Sequence, residues 1–285
     1  MVVINNLRID NKSPTRIMGV LNVSPESFYK GSVKTSRDDI ESTANYVEAS
    51  GASLIDIGGM STAPYLRTYI SIKEETKRVA EAVSLVKRCC ALPISVDTPR
   101  AEVAEEAIKS GATLVNDVTG LKFDKNMANM IAAYGVAVIV GAHSKDRISG
   151  TLSSTLKALR ESLKLAKGAG IAENKIIVDP SIGFFRRDVT NDFSTRVTSL
   201  SWYARDQQII RNLNRLKCLS KPISVGVSSK SFIGELFNLK IGERLVPDLI
   251  SELKCALDGA KILRTHHVKE TSLALKACKL FGIGK

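Results

Sequence analysis

The stretch PISVGVSSKSFIG, residues 222–234, joins an apolar strand to a polar turn. Residues 223–227 are rich in β-branched side chains, which is typical of a buried strand. The run Ser228-Ser229-Lys230-Ser231 follows at once. Because lysine is rarely buried without a partner, Lys230 either points to solvent from an ordinary loop or faces a ligand at the end of the strand.

The same alternation of a short apolar strand and a helix extends over most of the chain. The predicted strands cover residues 16–22, 54–57, 94–96, 114–118, 136–142, 175–178, 222–227 and 261–265. The predicted helices cover residues 38–50, 73–89, 101–110, 124–134, 152–169, 206–218, 243–258 and 269–281. This alternation favours parallel pairing, because each crossover helix covers a face of the sheet. Eight units in 285 residues predict an α/β fold, a single (β/α)8 TIM barrel.

A doubly wound open sheet is the competing fold. It is disfavoured because no GxGxxG follows the first strand and no P-loop lysine motif is present. Glycine stands at most predicted helix-to-strand joints, where a helix favours a left-handed residue. The opening segment predicts a short strand and turn of an N-terminal β-hairpin. The predicted organisation is therefore a hairpin segment, residues 1–15, and a barrel, residues 16–285.

Composition limits the classes of function. With 44% hydrophobic and 25% charged residues the chain is typical of globular proteins, and no apolar run approaches the roughly 18 residues of a membrane span. The N-terminus lacks the layout of a signal peptide, so we expect a soluble cytoplasmic protein with no membrane partner. The net charge of +12 would suit nucleic acid, but 5% aromatic residues and the lack of a concentrated basic run argue against it. A field that attracts a small polyanion, such as a pyrophosphate ester, or a plain solvated basic surface explains the charge equally well.

Cysteine and histidine usage gives no sign of a metal centre. The five cysteines include no CxxC pair, and the three histidines show no zinc-ligand spacing. The thiols are therefore expected to be reduced.

Every predicted strand ends on a group able to form hydrogen bonds or carry charge. These residues are Asn22, Asp56, Asp97, Asn116 with Asp117, His143, Asp179, Lys230, and Arg264 with His266. Any one of them alone could be a cap or a turn residue, but together they predict a site at the C-terminal face of the barrel. The carboxylates and amides suit a ring rich in N–H donors, such as a 2-aminopteridinone, and the cationic donors of the last two strands suit a phosphate.

Seven segments in order resemble one family. They are IMGVLNVSPESF (17–28), IDIGGMSTAP (55–64), ISVDT (94–98), LVNDVTGL (114–121), VDPSIGF (178–184), VGVSSKSFIG (225–234) and ILRTHHVKET (262–271). Together they closely resemble dihydropteroate synthase, of the pterin-binding barrel superfamily, and they extend from Arg16 to the last helix. The resemblance implies a transferase that joins 6-hydroxymethyl-7,8-dihydropterin pyrophosphate to the amine of p-aminobenzoate in folate biosynthesis and releases pyrophosphate with the help of Mg²⁺.

The resemblance also implies roles for individual residues. The pterin edge would be held by Asp56, Asp97, Asn116, Asp179 and Lys230, and the ring sandwiched by Phe184 and Arg264. The catalytic residues would be Lys230, Arg264, His266 and Asp97. The pyrophosphate would contact Thr62, Arg264 and His266, with Asn22 binding Mg²⁺. The aminobenzoate would lie against Ser231 and the loops at residues 24–30 and 61–69, and a homodimer formed by helices late in the chain is implied as well.

The departures from the family pattern lie on the side of the second substrate. Ala63 and Ser229 replace arginines, and Arg67 is the nearest arginine that could take over from the first. The other departures are His143 without its flanking methionines, Ser181 for glycine, Phe185-Arg186 for glycine-lysine, His267 for aspartate, and extra length at residues 186–206 that includes Trp202. This pattern predicts an acceptor larger than or different from p-aminobenzoate, and the ribosylated aminobenzene phosphate of methanopterin-type pathways is the first to test. The alternatives are a non-catalytic pterin-binding barrel and a pterin-dependent methyltransferase of the same superfamily.

Overall fold

The protein is an eight-stranded parallel barrel with a hairpin at its base. The computed structural model describes residues 1–10, 12–25, 36–65 and 68–283. Its strands in chain order are β1 (Val2–Ile4), β2 (Leu7–Ile9), β3 (Arg16–Asn22), β4 (Leu54–Gly58), β5 (Ile94–Asp97), β6 (Leu114–Asp117), β7 (Ala137–Gly141), β8 (Ile176–Asp179), β9 (Phe185–Arg186), β10 (Thr195–Arg196), β11 (Ile223–Val225) and β12 (Ala260–Thr265). The order β11-β12-β3-β4-β5-β6-β7-β8 closes the barrel, which confirms the predicted fold.

Helices follow the barrel strands. They are α1 (Arg37–Ala49), α2 (Ile72–Cys89), α3 (Ala101–Ser110), α4 (Met127–Tyr134), α5 (Leu152–Gly168), α6 (Trp202–Arg211), α7 (Ser231–Phe237), α8 (Leu245–Leu257) and α9 (Val268–Leu280). Local sequence sets their ends: Ser71 caps α2 by accepting a hydrogen bond from the Glu74 amide, and Gly135 ends α4 with a left-handed φ of 63°. No helix in the described part of the chain is long and apolar enough to cross a membrane.

The core has two layers. The outer layer lies between the strands and the helices. The inner layer fills the barrel with side chains such as Met18, Ile139 and Ile262, and the hairpin residues Val2, Ile4 and Ile9 pack against them. The predicted hairpin segment therefore closes the base of the barrel, opposite the end at which the parallel strands finish.

Three features differ from the predicted elements. The helix α7 was not predicted; it has seven residues and contains Gly234, so it depends on burial of Phe232 and Ile233 rather than on propensity. The helix predicted at residues 206–218 is α6, which begins at Trp202, followed by a 3-10 helix at Leu213–Leu219. The stretch between β8 and α6 contains the short parallel pair β9 and β10. All five cysteines are free.

Candidate active site

Two adjoining clefts open at the C-terminal end of the barrel. The inner cleft encloses about 370 Å³ and the outer cleft about 870 Å³, with space open to solvent included. Both are lined by Asp97, Phe184, Gly226, Lys230 and Arg264. Asn116 and Asp179 line the inner cleft only, and the outer cleft alone is lined by Asn22, Thr62, Arg186, Ser231 and His266. Parallel strands bring these side chains together because their C-terminal ends meet at one rim.

Arg264 on β12 holds two carboxylates at the junction of the clefts. Its Nε donates to Asp56 Oδ2 at 2.5 Å and its Nη2 donates to Asp97 Oδ2 at 2.7 Å. Burial opposes the charge of Arg264, but the two carboxylates outweigh burial and raise the pKa of the guanidinium. The guanidinium is therefore a fixed cation whose plane is set by two ion pairs.

Asp56 differs from the other predicted pterin ligands because it lines neither cleft. It is fully buried, and its Oδ2 also accepts a hydrogen bond from Asn116 Nδ2 at 3.1 Å. Its Oδ1 is buried and has no hydrogen-bond partner among the described residues. Asp56 thus lies behind the site and orients Arg264 and Asn116.

Two further carboxylates face the inner cleft. Burial, together with neighbouring Asp56, raises the pKa of Asp97 to about 7, although Arg264 and Lys230 act in the opposite direction. Burial also raises the pKa of Asp179, which accepts a hydrogen bond from the Ser181 amide at 2.8 Å. Asp117, at the end of β6, instead binds the amides of Thr119 and Leu121 and is a turn residue.

Lys230 lies between the clefts, at the start of α7. Burial and the neighbouring Arg264 lower the pKa of its ammonium to about 8, against the influence of Asp179 and Asp97. The Nζ atom lies 4.5 Å from the centroid of the Phe184 ring. Gly183 leaves room for this lysine, because a Cβ there would come within 2.9 Å of Lys230 Cδ. Of the two alternatives for Lys230, the structure shows the one that faces a cleft.

His266 in the outer cleft is neutral, so the prediction that it is a cationic donor is wrong. Its Nδ1 lies 3.3 Å from the Ser228 hydroxyl. Burial and then Arg264 lower the pKa of His266 to about 3. The imidazole therefore supplies a hydrogen bond rather than a charge.

The loop that carries Lys230 is held by residues that sequence reasoning missed. Ser229 has a left-handed φ of 58°; its amide donates to Asp248 Oδ2 at 2.8 Å and its carbonyl accepts from Arg244 Nη1 at 3.2 Å. Arg244 also donates to the Lys230 carbonyl at 3.3 Å. Arg244 and Asp248 lie at the start of α8 and are buried, and the sequence gives no sign that these two charged residues leave the surface. Ser181, at the position where the family has glycine, is left-handed too, with a φ of 53°.

The extra length after β8 fastens the loop after β4. We call residues 187–199 the strap. Within it the Thr190 amide donates to the Pro64 carbonyl at 3.0 Å, and Asn191 Nδ2 donates to the Ala63 carbonyl at 2.8 Å. Phe193 packs against Met60 and Val118 beside the clefts. The strap thus fixes the backbone at Ala63. Arg67 and residues 26–30 of the predicted acceptor loops lie outside the described residues.

His143 lies apart from both clefts. It is buried beneath the strap, with Nδ1 3.4 Å from the Thr195 hydroxyl and no hydrogen-bond partner for Nε2 among the described residues. Burial lowers its pKa to about 4. It lines a third cavity with Lys145 and Arg196.

Fold and site together define a (β/α)8 barrel with a polar inner cleft beside a larger outer cleft that is lined by Arg186, Lys230 and Arg264. Residues 18–266 match the sequence family of pterin binding enzymes. The dihydropteroate synthase of Clostridium beijerinckii is 36% identical over 268 residues, 92% of each chain.

Solved structures similar to this chain are also dihydropteroate synthases. Dihydropteroate synthase from Clostridium difficile, solved in the presence of pteroic acid, superposes with a TM-score of 0.81 and 33% identity over 96% of this chain and 99% of that one. The enzyme from Xanthomonas albilineans with 4-aminobenzoic acid gives a TM-score of 0.80 and 29% identity over 95% and 94% of the two chains.

The chain therefore belongs to the pterin binding enzyme family, and within it to the dihydropteroate synthases. It is an enzyme of folate biosynthesis, a transferase that forms a carbon–nitrogen bond. These relatives favour the synthase over the methyltransferase and over the non-catalytic barrel.

Proposed function

We propose that the protein condenses 6-hydroxymethyl-7,8-dihydropterin pyrophosphate with p-aminobenzoate and releases pyrophosphate. The observation that carries this proposal is the meeting of the two clefts at Asp97, Phe184, Lys230 and Arg264. A ring in the inner cleft would direct its pyrophosphate-bearing substituent into the outer cleft. The solved relatives that contain pteroic acid or 4-aminobenzoic acid support this pair of substrates.

The inner cleft matches the hydrogen-bonding edge of a pterin. Asp97, Asn116 and Asp179 supply oxygen acceptors for the ring N–H and amino groups, and Lys230 supplies a donor for the ring oxygen or nitrogen. Phe184 and the guanidinium of Arg264 offer the flat faces between which the ring would lie. Asp56 would act through Arg264 and Asn116 without touching the ring.

The reaction would proceed at the methylene carbon between the clefts. The aniline nitrogen attacks this carbon, the C–O bond to pyrophosphate breaks with its electron pair going to the leaving oxygen, and the new secondary amine releases a proton. Lys230 and Arg264 would stabilise the charge on the leaving oxygen, and the Asp97 carboxylate would stabilise positive charge on the ring and its methylene. Neutral His266 and the Thr62 hydroxyl would bind the pyrophosphate by hydrogen bonds.

The residues near Asn22 fit a Mg²⁺ ion that is held mainly by its substrate. Asn22 lines the outer cleft, and no group of three or more His, Cys, Asp or Glu side chains in the described part of the chain could hold a metal. Mg²⁺ usually keeps several waters and binds substrate phosphates together with one or two protein oxygens, so the Asn22 amide oxygen suits it. When bound, Mg²⁺ would neutralise charge on the pyrophosphate.

Pyrophosphate release tests the proposal. With the pterin pyrophosphate, Mg²⁺ and p-aminobenzoate, we expect pyrophosphate and dihydropteroate to form in equal amounts. A coupled phosphate assay measures the pyrophosphate, and mass spectrometry measures the dihydropteroate. Without arylamine, release should fall to the background hydrolysis rate. If the pterin pyrophosphate binds but no arylamine triggers release, the protein is a pterin-binding module and the synthase proposal is wrong.

The homodimer implied by the resemblance has a candidate surface on the last two helices. Val246, Ile250 and Leu257 on α8 and Leu273 on α9 are large apolar side chains that are exposed in the single chain. Exposed apolar groups on one helical face favour association. Light scattering of the purified protein should give twice the mass of a single chain. The Ile250→Asp variant should give the mass of a single chain. A single-chain mass for the unmodified protein would contradict the dimer.

A further inference from the structure

Arg186 is a buried arginine in the wall of the outer cleft. Only 7% of it is exposed, yet it lines the cleft together with Tyr65 and Ser231. It ends β9, in the stretch where the chain departs from the family pattern. Burial lowers the pKa of its guanidinium, as expected for a cation removed from water.

Within the described part of the chain, the guanidinium of Arg186 has no carboxylate partner. Among the described residues no Asp or Glu oxygen lies within 4 Å of it. Its Nη1 donates to the Phe185 carbonyl at 3.3 Å and its Nη2 donates to the Ser231 hydroxyl at 2.5 Å. Asp206 is the nearest acid by its electrostatic effect, but its two oxygens already bind Arg205 and the Gly183 amide, each at 3.0 Å.

The other two cations of the cleft have acids close to them. Arg264 is paired with Asp56 and Asp97, and Lys230 lies in the field of Asp179 and Asp97. Among the described residues, Arg186 is therefore a cation of the cleft that no carboxylate contacts. A buried charge without a contacting partner is costly unless a ligand supplies the opposite charge.

Trp202 fixes the orientation of this charge. The guanidinium carbon lies 3.8 Å from the centroid of the Trp202 ring, in a cation–π stack. The backbone is held as well, because the Val197 amide donates to the Arg186 carbonyl at 2.9 Å. Two of the five N–H groups are used by the Phe185 carbonyl and the Ser231 hydroxyl. The planar fork of a guanidinium suits the oxygens of a carboxylate or a phosphate.

We propose that Arg186, together with Ser231, binds the anionic group of the arylamine acceptor and thereby selects anionic arylamines. This inference rests on the proposed function. The anion would be the carboxylate of p-aminobenzoate or the phosphate of a ribosylated aminobenzene, since both present oxygens to the same fork. Trp202 is the positioning residue for Arg186.

Steady-state kinetics with three acceptors test the inference. The probes are p-aminobenzoate, a ribosylated aminobenzene phosphate and the uncharged p-aminobenzamide. For Arg186→Met we expect KM for the anionic acceptor to rise about 10- to 100-fold, the size of a lost charged hydrogen bond. KM for p-aminobenzamide and for the pterin pyrophosphate should stay unchanged. Whichever anionic probe the unmodified enzyme prefers identifies the group as carboxylate or phosphate.

Two further variants keep the test decisive. Arg186→Lys keeps the charge but loses the fork and should fall between the unmodified enzyme and Arg186→Met. Arg196→Met is the matched control, since Arg196 pairs with Arg186 in the β9–β10 register but is exposed and lies outside both clefts, and it should change none of the constants. Thermal unfolding of each variant excludes misfolding as the cause.

The outcomes separate the two proposals. If the unmodified enzyme uses p-aminobenzoate and Arg186→Met raises KM equally for charged and uncharged acceptors, Arg186 does not bind the anion and the proposed function stands. A rise in KM for the pterin pyrophosphate alone would place Arg186 on the leaving group and overturn the inference. If the unmodified enzyme turns over no arylamine, both proposals fail.

Discussion

Replacing Arg264 with methionine is expected to abolish pterin binding and to lower the free energy of unfolding by about 3–5 kcal/mol. The change leaves Asp56 and Asp97 without their common ion-pair partner. Asp56 is fully buried and the Asp97 side chain is 16% exposed, so water replaces little of the lost interaction. The loss is large because an unpaired buried charge remains, and not because one hydrogen bond is gone.

The pH dependence of this loss has a definite sign. The pKa of Asp97 is about 7 in the folded protein, above the ordinary value of 3.8, so the folded state holds this proton more tightly than the unfolded state. The contribution of Asp97 to stability is therefore greatest at low pH and decreases as the pH rises through about 7. Arg264 opposes the upward shift, so its removal raises the pKa of Asp97 further. The defect of Arg264→Met should accordingly be smaller in acid than in base.

Urea unfolding and calorimetric titration with the pterin would measure the two effects. Arg264→Lys keeps one charge but cannot reach both carboxylates in the same way, so it should recover part of the stability and little of the binding. The double variant Arg264→Met with Asp97→Asn should be more stable than Arg264→Met alone, because one of the two unpaired charges is removed. Unfolding of Arg264→Met at the urea concentration of the unmodified protein would contradict the assigned role of the two ion pairs.

The sequence predicts the barrel because each local signal agrees with the whole fold. The run from Arg16 to Asn22 is predicted as a strand and is β3 with the same bounds. The glycines after the helices, such as Gly135, adopt the left-handed conformation that helix ends require. Eight repetitions of the same pattern leave few other topologies.

Where a residue's position depends on contacts far away in the chain, the local sequence pattern could not predict that position. Asp56 and Asp97 both follow strand signals, yet the register buries one behind Arg264 and brings the other to the clefts. The sequence of the strap has no helical or strand periodicity of its apolar residues. Its conformation depends instead on hydrogen bonds to the carbonyls of Ala63 and Pro64, which are more than a hundred residues away in the chain.

The sequence also could not predict the charge states of the site residues. His266 is a cation or a neutral donor depending on burial and on Arg264, and neither is visible in the motif that contains it. Arg186 is an ordinary basic residue in the sequence. Its burial, the Trp202 stack and the lack of an acidic partner among the described residues distinguish it from a surface arginine.

Lys230 and Asp97 should together limit kcat/KM to a narrow pH range. Asp97, with a pKa of about 7, must be ionised to pair with Arg264 and face the ring, and Lys230, with a pKa of about 8, must be protonated to donate. We therefore expect kcat/KM to rise through about pH 7 and to fall through about pH 8, in a profile that reports the free enzyme. Because the two groups lie in each other's field, the two inflections belong to the pair.

Substitutions of Lys230 separate its charge from its shape. Lys230→Ala removes a charged donor from both clefts and should lower kcat/KM at least about 100-fold, with weaker pterin binding. Lys230→Arg should keep part of the activity and move the alkaline fall to higher pH, because a guanidinium stays protonated throughout this range. Asp97→Asn should remove the acid limb and leave the alkaline one. An alkaline fall that persists near pH 8 in Lys230→Arg would assign that limb to another group, and the role of Lys230 as the titrating donor between the two clefts would be wrong.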